Sequence, residues 1–482
     1  MASIRIKGLG GVDEIGASSA QVEFLGKINK NLLVDSGIRM INNRGQRGKF
    51  IRRSEGHAPP DVRINAAVIT HGHSDHHSNL PQLWPGIIEA NPDAKAYMTK
   101  PTYYIAGNLW LNYSYLMAKQ EVRVDLGYES NFNRGMRMLV EQAKNTWVEK
   151  PGWVEIFPGV EAYFGPNGHI RGSAFVVLRV DIGNGKQVYT MFSGDLSVYD
   201  SPTVRGLKFP GSKELKGDER SPLEQFVGKI DILFVESTYG DRVLIPRPEE
   251  EDRMAHLAKD TISQGGICLA SAFGVGRSPD STLAQEIRGV APLYLDGMGK
   301  QFMDICASPD GHWCELDHMS GVDLANSGIR YVQGRDERED LIYEGGGFSV
   351  VTTAGMMVKG SCAWQYATKN SFLRNSMNRL LLTGYQAENT EGRDIEESVE
   401  RQQPVNLGGR YIQVQADVPP RLQLSSHADG GQVAEIVNAI QPKKIFIDHG
   451  NNNGREGLKN NLLNLGFRGE IHLPNNGDVI EI

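Results

Sequence analysis

The sequence predicts an α/β protein in which a metal-holding domain is interrupted by a second α/β domain with a parallel sheet. Three observations predict it. His71-Gly72-His73-Ser74-Asp75-His76 places four metal-ligating side chains within six residues, directly after an apolar run. Other His and Asp residues each follow a further short apolar run. From about residue 240 to 422 these candidates stop, strand-like and helix-like runs alternate, and the candidates resume with His427 and His449. The expected organisation is therefore 1–239 as the first part of the metal domain, 240–422 as the insert and 423–482 as the returning part.

Taken in order, Asn31-Leu32-Leu33-Val34 reads as a strand delivering Asp35-Ser36-Gly37, and Ala66 to Thr70 as a short buried strand. The ligands at 71–76 are then expected on a loop leaving a sheet edge. A loop can turn several imidazoles toward one point, whereas a strand sends neighbouring side chains to opposite faces. His71 and His73 can hold one metal ion, and Asp75 and His76 a second beside it. Imidazole and carboxylate suit zinc, and two adjacent ions suit hydrolysis at phosphorus or carbonyl centres. From Pro101 to Lys150 the spacing of Ile105, Leu109, Tyr113 and Leu116 predicts helices packed beside the metal loops, with Trp110, Trp147 and Trp153 filling core contacts.

Val160–Phe164 leads to Gly165-Pro166-Asn167-Gly168-His169, and Val188–Phe192 runs into Ser193-Gly194-Asp195. Ile230–Val235 ends in Glu236, and Lys444–Ile447 delivers Asp448-His449-Gly450. In the insert, Gly266–Ala270 and Phe348–Val351 are the strand-like runs of a parallel sheet. The charged stretches 249–252 and 335–340 read as solvated surface.

Composition narrows the class without naming an activity. The 482 residues suffice for two or three domains with a sizeable core, and the formal net charge of -7 advertises no global basic field for nucleic acid. No run is long enough to cross a bilayer, and the N-terminal residues enter a strand-like segment without the apolar core of a signal peptide. The cysteines, Cys268, Cys306, Cys314 and Cys362, lack CxxC spacing and are expected to be reduced. A cytoplasmic protein without membrane association is the expectation.

The 71–76 pattern resembles the HxHxDH signature of the metallo-β-lactamase superfamily, which demands ligands downstream at strand ends, as His169, Asp195 and His449 are placed. Further segments narrow the resemblance. They are Glu236-Ser237-Thr238-Tyr239-Gly240, Ala272-Phe273-Gly274-Val275-Gly276-Arg277, Thr383-Gly384-Tyr385-Gln386 with Thr390 and Arg393, and Ser425-Ser426-His427-Ala428-Asp429 ahead of His449. Across nearly the whole chain this series is similar to the β-CASP nucleases, such as ribonuclease J and the pre-mRNA 3′-end processing endonuclease. The resemblance implies a metallo-β-lactamase αββα sandwich carrying an inserted β-CASP α/β domain.

It also implies roles. His71, His73 and His169 would hold the first of two zinc ions, and Asp75, His76 and His449 the second. Asp195 would lie between them and Asp35 would brace the metal loop. Asp75, Glu236 and His427 would serve catalysis, with Glu236 orienting His427 as general acid. Arg277, Thr390 and Arg393 would contact substrate phosphate. By charge pattern, the basic loop of Arg44, Arg47, Lys49, Arg52 and Arg53 is a second candidate phosphate contact or, equally, a solvated loop. The implied activity is zinc-dependent cleavage of single-stranded RNA to 5′-phosphate and 3′-hydroxyl ends. Alternatives are a single-stranded DNA nuclease of the same family and a lactonase or thioesterase of the same fold. A homo-oligomer is left open. The chain departs from the pattern at Ser278-Pro279-Asp280 after Arg277, at Asn389 and at Asn451. His57, His77, His256, His312, His318 and His472 are read as structural or surface residues.

Overall fold

The computed structural model describes residues 3–44, 50–119, 126–213, 215, 219–319, 323–369 and 371–482, without the side chains of 41–44, 50–54 and 126. Two mixed sheets stack face to face. The first, in spatial order, comprises Val479–Glu481, Ser3–Gly10, Ser19–Leu25, Lys30–Val34, Ala66–Val68 and Lys95–Tyr97. The second comprises Glu470–His472, Lys444–Asp448, Ile232–Glu236, Lys186–Phe192, Ala174–Gly183, Val160–Pro166 and Gly152–Phe157. Alternation along the strands sends Ile4, Val22, Phe24 and Val34 from one sheet against Phe164, Val176, Phe192 and Phe234 from the other.

Helices cover both outer faces. Leu80–Ala90, Lys100–Ala118 and Leu126–Ala143 bury Trp84, Trp110 and Phe132 against the first sheet. Gly430–Ile440 and Asn452–Asn464 cover the second with Val433, Ile436 and Leu458. The helices expected between Pro101 and Lys150 thus form. Thr99 caps the first by accepting from Thr102 N, with Pro101 in the first turn. The result is the αββα sandwich.

The chain leaves this sandwich after Ile232–Glu236 and is back on it by the helix Gly430–Ile440, which leads to Lys444–Asp448, whose register pairs Glu236 with Asp448. Between them lies a five-stranded parallel sheet in the order Ile329–Tyr331, Leu293–Asp296, Phe348–Thr352, Ile267–Ser271, Arg379–Leu382. Its two faces carry separate cores, one around Tyr366 and Leu380, the other around Met254 and Leu283. The insert also reaches back. Trp313 and Cys314 lie in the core between the two sandwich sheets.

Two expectations are corrected. Of the 249–252 stretch, Glu250 and Glu251 are buried, bonding Gln423 N and Arg247, because only alternate sides of the helix Arg247–Ser263 face solvent. In the 335–340 stretch, Arg338 is buried and doubly bonded to Asp296. The cysteines are free, three of them buried. Among the described residues no helix is long and apolar enough to cross a membrane.

Candidate metal centre

Parallel strands end together, and their C-terminal edges carry the site. Lys30–Val34 and Ala66–Val68 run parallel, so Asp35 and the 71–76 segment emerge side by side. Asp35 takes the left-handed conformation (φ 57°) and accepts from Thr70 N and Thr70 Oγ1, both at 2.8 Å. Its Oδ2 also accepts from His76 Nδ1 at 2.8 Å. That bond turns His76 Nε2 into the site, the usual way a carboxylate orients an imidazole ligand. Asp35 thus braces the segment as expected of it, and Thr70, which sequence reasoning passed over, is the relay. Its position directly before His71 was the one available signal.

The segment itself is not all loop. Ser74–His77 forms a single helical turn, which swings Asp75 and His76 to one side and leaves His71 and His73 on the other.

The side chains converge in two adjoining groups. His71, His73, His169 and Asp195 present ligand atoms within 4.8 Å of one another, as do Asp75, His76 and His449. Asp195 joins them: Oδ2 lies 3.4 Å from both His71 Nε2 and His169 Nε2, while Oδ1 lies 3.4 Å from His76 Nε2 and from His449 Nδ1. His169 Nδ1 donates to the Ser426 carbonyl at 2.7 Å, which frees its Nε2. Ser426 is a further contributor that the motif gave no reason to select. His449 has φ 45° and lies 3.1 Å from Thr238 Oγ1.

The donor set fits metal cations. His76 Nε2, His449 Nε2 and Asp195 Oδ1 are buried and without a hydrogen-bond partner among the described residues. Buried polar atoms of this kind are costly unless something else satisfies them. Burial pushes His71 down to about 3 and His73 to about 4, so both imidazoles are neutral, the form that ligates metal. Burial opposes charge on Asp195, yet His449 and His76 hold it well below the usual carboxylate range. His449 is raised to about 9 against the effect of burial, chiefly by Asp195. Burial pushes Asp448, beside it, up to about 7.

A third group adjoins these. His427 Nδ1 lies 2.9 Å from Glu236 Oε2, and its Nε2 is 3.9 Å from Asp195 Oδ2. Glu236 also accepts from Leu196 N. Burial works against a charged His427, but Glu236 and Asp195 raise it above its ordinary range. His77 stays outside the clusters. It is buried, packs edge-on to Trp110 at 5.5 Å and contacts the Gly72 carbonyl.

The residues expected at substrate are divided. Arg277 opens the helix Arg277–Ile287, lies over Phe273 and donates to the Thr383 carbonyl, while its buried Nε has no hydrogen-bond partner among the described residues. Thr390 is a fully buried helix cap whose hydroxyl accepts from Arg393 N and donates to the Ala387 carbonyl. Arg393 pairs with Glu397 in the next turn. The structure gives both a local task and does not bring them into the clusters. Of the basic loop, Arg47 and Lys49 and the side chains of Arg44, Arg52 and Arg53 lie outside what is described.

The Beta-Casp domain family matches residues 280–395, and the family described as Zn-dependent metallo-hydrolase RNA specificity domain matches 411–474. A Methanocaldococcus jannaschii protein named Probable RNase MJ4 is 28% identical over 65% of this chain and 67% of its own length. An RNase J-like protein of the same organism is 26% identical over 93% of this chain and 92% of its own. Transcription termination factor FttA of Methanosarcina mazei is 26% identical over 93% of this chain, which spans 67% of that factor's length. A solved structure of a protein of unknown function from Enterococcus faecalis V583 aligns over 100% of both chains at 14% identity, TM-score 0.57, and so shares the fold. The chain thus carries a Beta-Casp domain match and a Zn-dependent metallo-hydrolase RNA specificity domain match on a metallo-β-lactamase fold, and it is similar to the β-CASP nucleases over most of its length.

Proposed function

We propose that the protein is a two-zinc phosphodiesterase that cuts single-stranded RNA and leaves 5′-phosphate and 3′-hydroxyl ends. The observation that carries this reading is the His427–Glu236 pair, 2.9 Å apart and set against Asp195. Hydrolysis of a phosphodiester expels an alkoxide, and a positioned acid at that spot supplies the proton it needs. The names of the RNase J-like and RNase relatives support RNA as the substrate class.

His71, His73 and His169 would hold one ion, Asp75, His76 and His449 the other, and Asp195 both. When bound, the ions neutralise phosphate charge and make water a competent nucleophile at neutral pH. Glu236 accepts the Nδ1 proton of His427 and so keeps Nε2 aimed into the site. From there His427 hands a proton to the departing 3′ oxygen. Arg277 offers a planar, incompletely bonded guanidinium to a neighbouring phosphate.

End-labelled single-stranded RNA, single-stranded DNA of the same sequence and duplex RNA test the reading, alongside metal analysis of the purified protein. Single-stranded RNA should be cut fastest, close to two zinc ions should be present per chain, and chelation should stop cutting. Equal or faster cutting of DNA would reassign the substrate. Turnover of lactones or thioesters with no cleavage of nucleic acid would overturn the reading.

A further inference from the structure

Resting on the ribonuclease reading above, we infer that Arg247 and Asp280 are positioning residues that set His427 for proton transfer. Asp280 is one of the positions where the chain departs from its family's sequence pattern. Arg247 is 3% exposed and Asp280 2%. Such a pair is costly to bury unless every polar atom is used.

They are used, and the bonds run to particular places. Arg247 is the first residue of the helix Arg247–Ser263, where the insert begins. Its Nε donates to Glu251 at 2.9 Å, its Nη2 to Asp280 Oδ2 at 2.9 Å and its Nη1 to the Ser425 carbonyl at 3.1 Å. Ser425 opens the segment that serves the centre. Its hydroxyl accepts from His427 N at 3.0 Å, and the next carbonyl, of Ser426, accepts from His169. Asp280 spends its other oxygen on the sandwich, taking Ser201 Oγ at 3.0 Å, Thr203 N at 3.1 Å and Thr203 Oγ1 at 2.6 Å. The loop it grips is the one that leaves Asp195.

One guanidinium–carboxylate pair therefore ties three pieces together: the loop after Asp195, the helix that Arg277 opens, and the segment carrying His427. Arg277 and Asp280 share the first turn of their helix. A phosphate on Arg277 would thus press on the same unit that holds His427. Glu236 fixes the imidazole from one side, and the Arg247–Ser425 bond fixes its backbone.

The test is a double-mutant cycle, because a residue acting through His427 loses its effect once His427 is gone. In the wild-type background Arg247→Lys should lower kcat for RNA about 10- to 100-fold with little change in KM, part of the roughly 10²–10⁴-fold that a positioned general acid contributes. In a His427→Ala background the same change should cost less than about 3-fold. Zinc content should stay at the wild-type level throughout. Thr203→Val, which removes one donor to Asp280 at the edge of the network, should cost about 2- to 5-fold and likewise lose its effect without His427. That second cycle decides the matter if Arg247→Lys fails to fold. Equal fold losses in both backgrounds, or zinc loss in the variants, would overturn the positioning role. Absence of RNA cleavage by the wild-type protein would instead overturn the ribonuclease reading.

Discussion

At the residue scale, a histidine buried without a carboxylate pays for its position in pH sensitivity. Burial holds His57 at about 4 and His77 at about 3, although neither belongs to the metal groups. Both folded-state values lie below the unfolded value, so the unfolded chain binds more protons as pH falls. Stability from these residues is complete above about pH 6.5 and declines below it by about 1.4 kcal/mol per pH unit for each group. Urea unfolding of metal-free protein at pH 7 and pH 5 checks this. His57→Gln should lower stability at pH 7 but should lose about 2 kcal/mol less than wild type on going to pH 5. An unchanged pH slope would mean that His57 is protonated in the folded chain. What the sequence made legible here was which imidazoles stand outside the motif. It did not disclose that Glu250, Glu251 and Arg338 are buried. Gln423 and Asp296, the partners of Glu250 and Arg338, come from other elements, and a charge run carries no trace of a distant partner.

At the element scale, apolar runs were reliable guides to the strands that end at the site. Within these strands Val188–Phe192, Ile232–Val235 and Ile445–Ile447 are largely apolar because both sheet faces are covered. The helical turn Ser74–His77 was not legible. It is four residues long, its preceding His73 makes no side-chain cap, and an isolated turn of this length does not form from propensity. Tertiary bonds impose it: Ser18 N donates to the Asp75 carbonyl and Ser36 N to the His76 carbonyl. Gly37 makes that contact close enough to work, since a Cβ there would lie 1.6 Å from the Asp75 carbonyl oxygen. Gly37→Ala must therefore displace the turn that carries Asp75 and His76. Metal analysis should show loss of one ion before the other, with the overall fold retained by circular dichroism. Full occupancy of both positions in this variant would show that the turn is not fixed by Gly37.

At the scale of the whole molecule, the insert and the sandwich are expected to unfold as one unit. Their contact is more than a hinge at two chain crossings. Arg171, two residues after His169, donates to the carbonyls of Cys306 and His318. Asp317 accepts from Gly172 N on the sandwich side and from Trp313 N and Cys314 N on its own. These bonds drive Trp313, 4% exposed, into the core between the two sheets, among residues such as Phe24, Phe164 and Val176 that lie far from it in sequence. Such a placement has no local signature, which is why the sequence marked the insert as a separate block. Removing the indole should cost about 3–5 kcal/mol, the usual range for deleting a buried aromatic. Because the ring belongs to one element and its pocket to the other, Trp313→Ala should lower a single thermal transition without splitting it. Hydrogen exchange should then quicken together in Val160–Pro166 of the sandwich and Ile267–Ser271 of the insert. If the insert strand keeps its protection while the sandwich strand loses it, the two domains fold independently and the indole is a local plug.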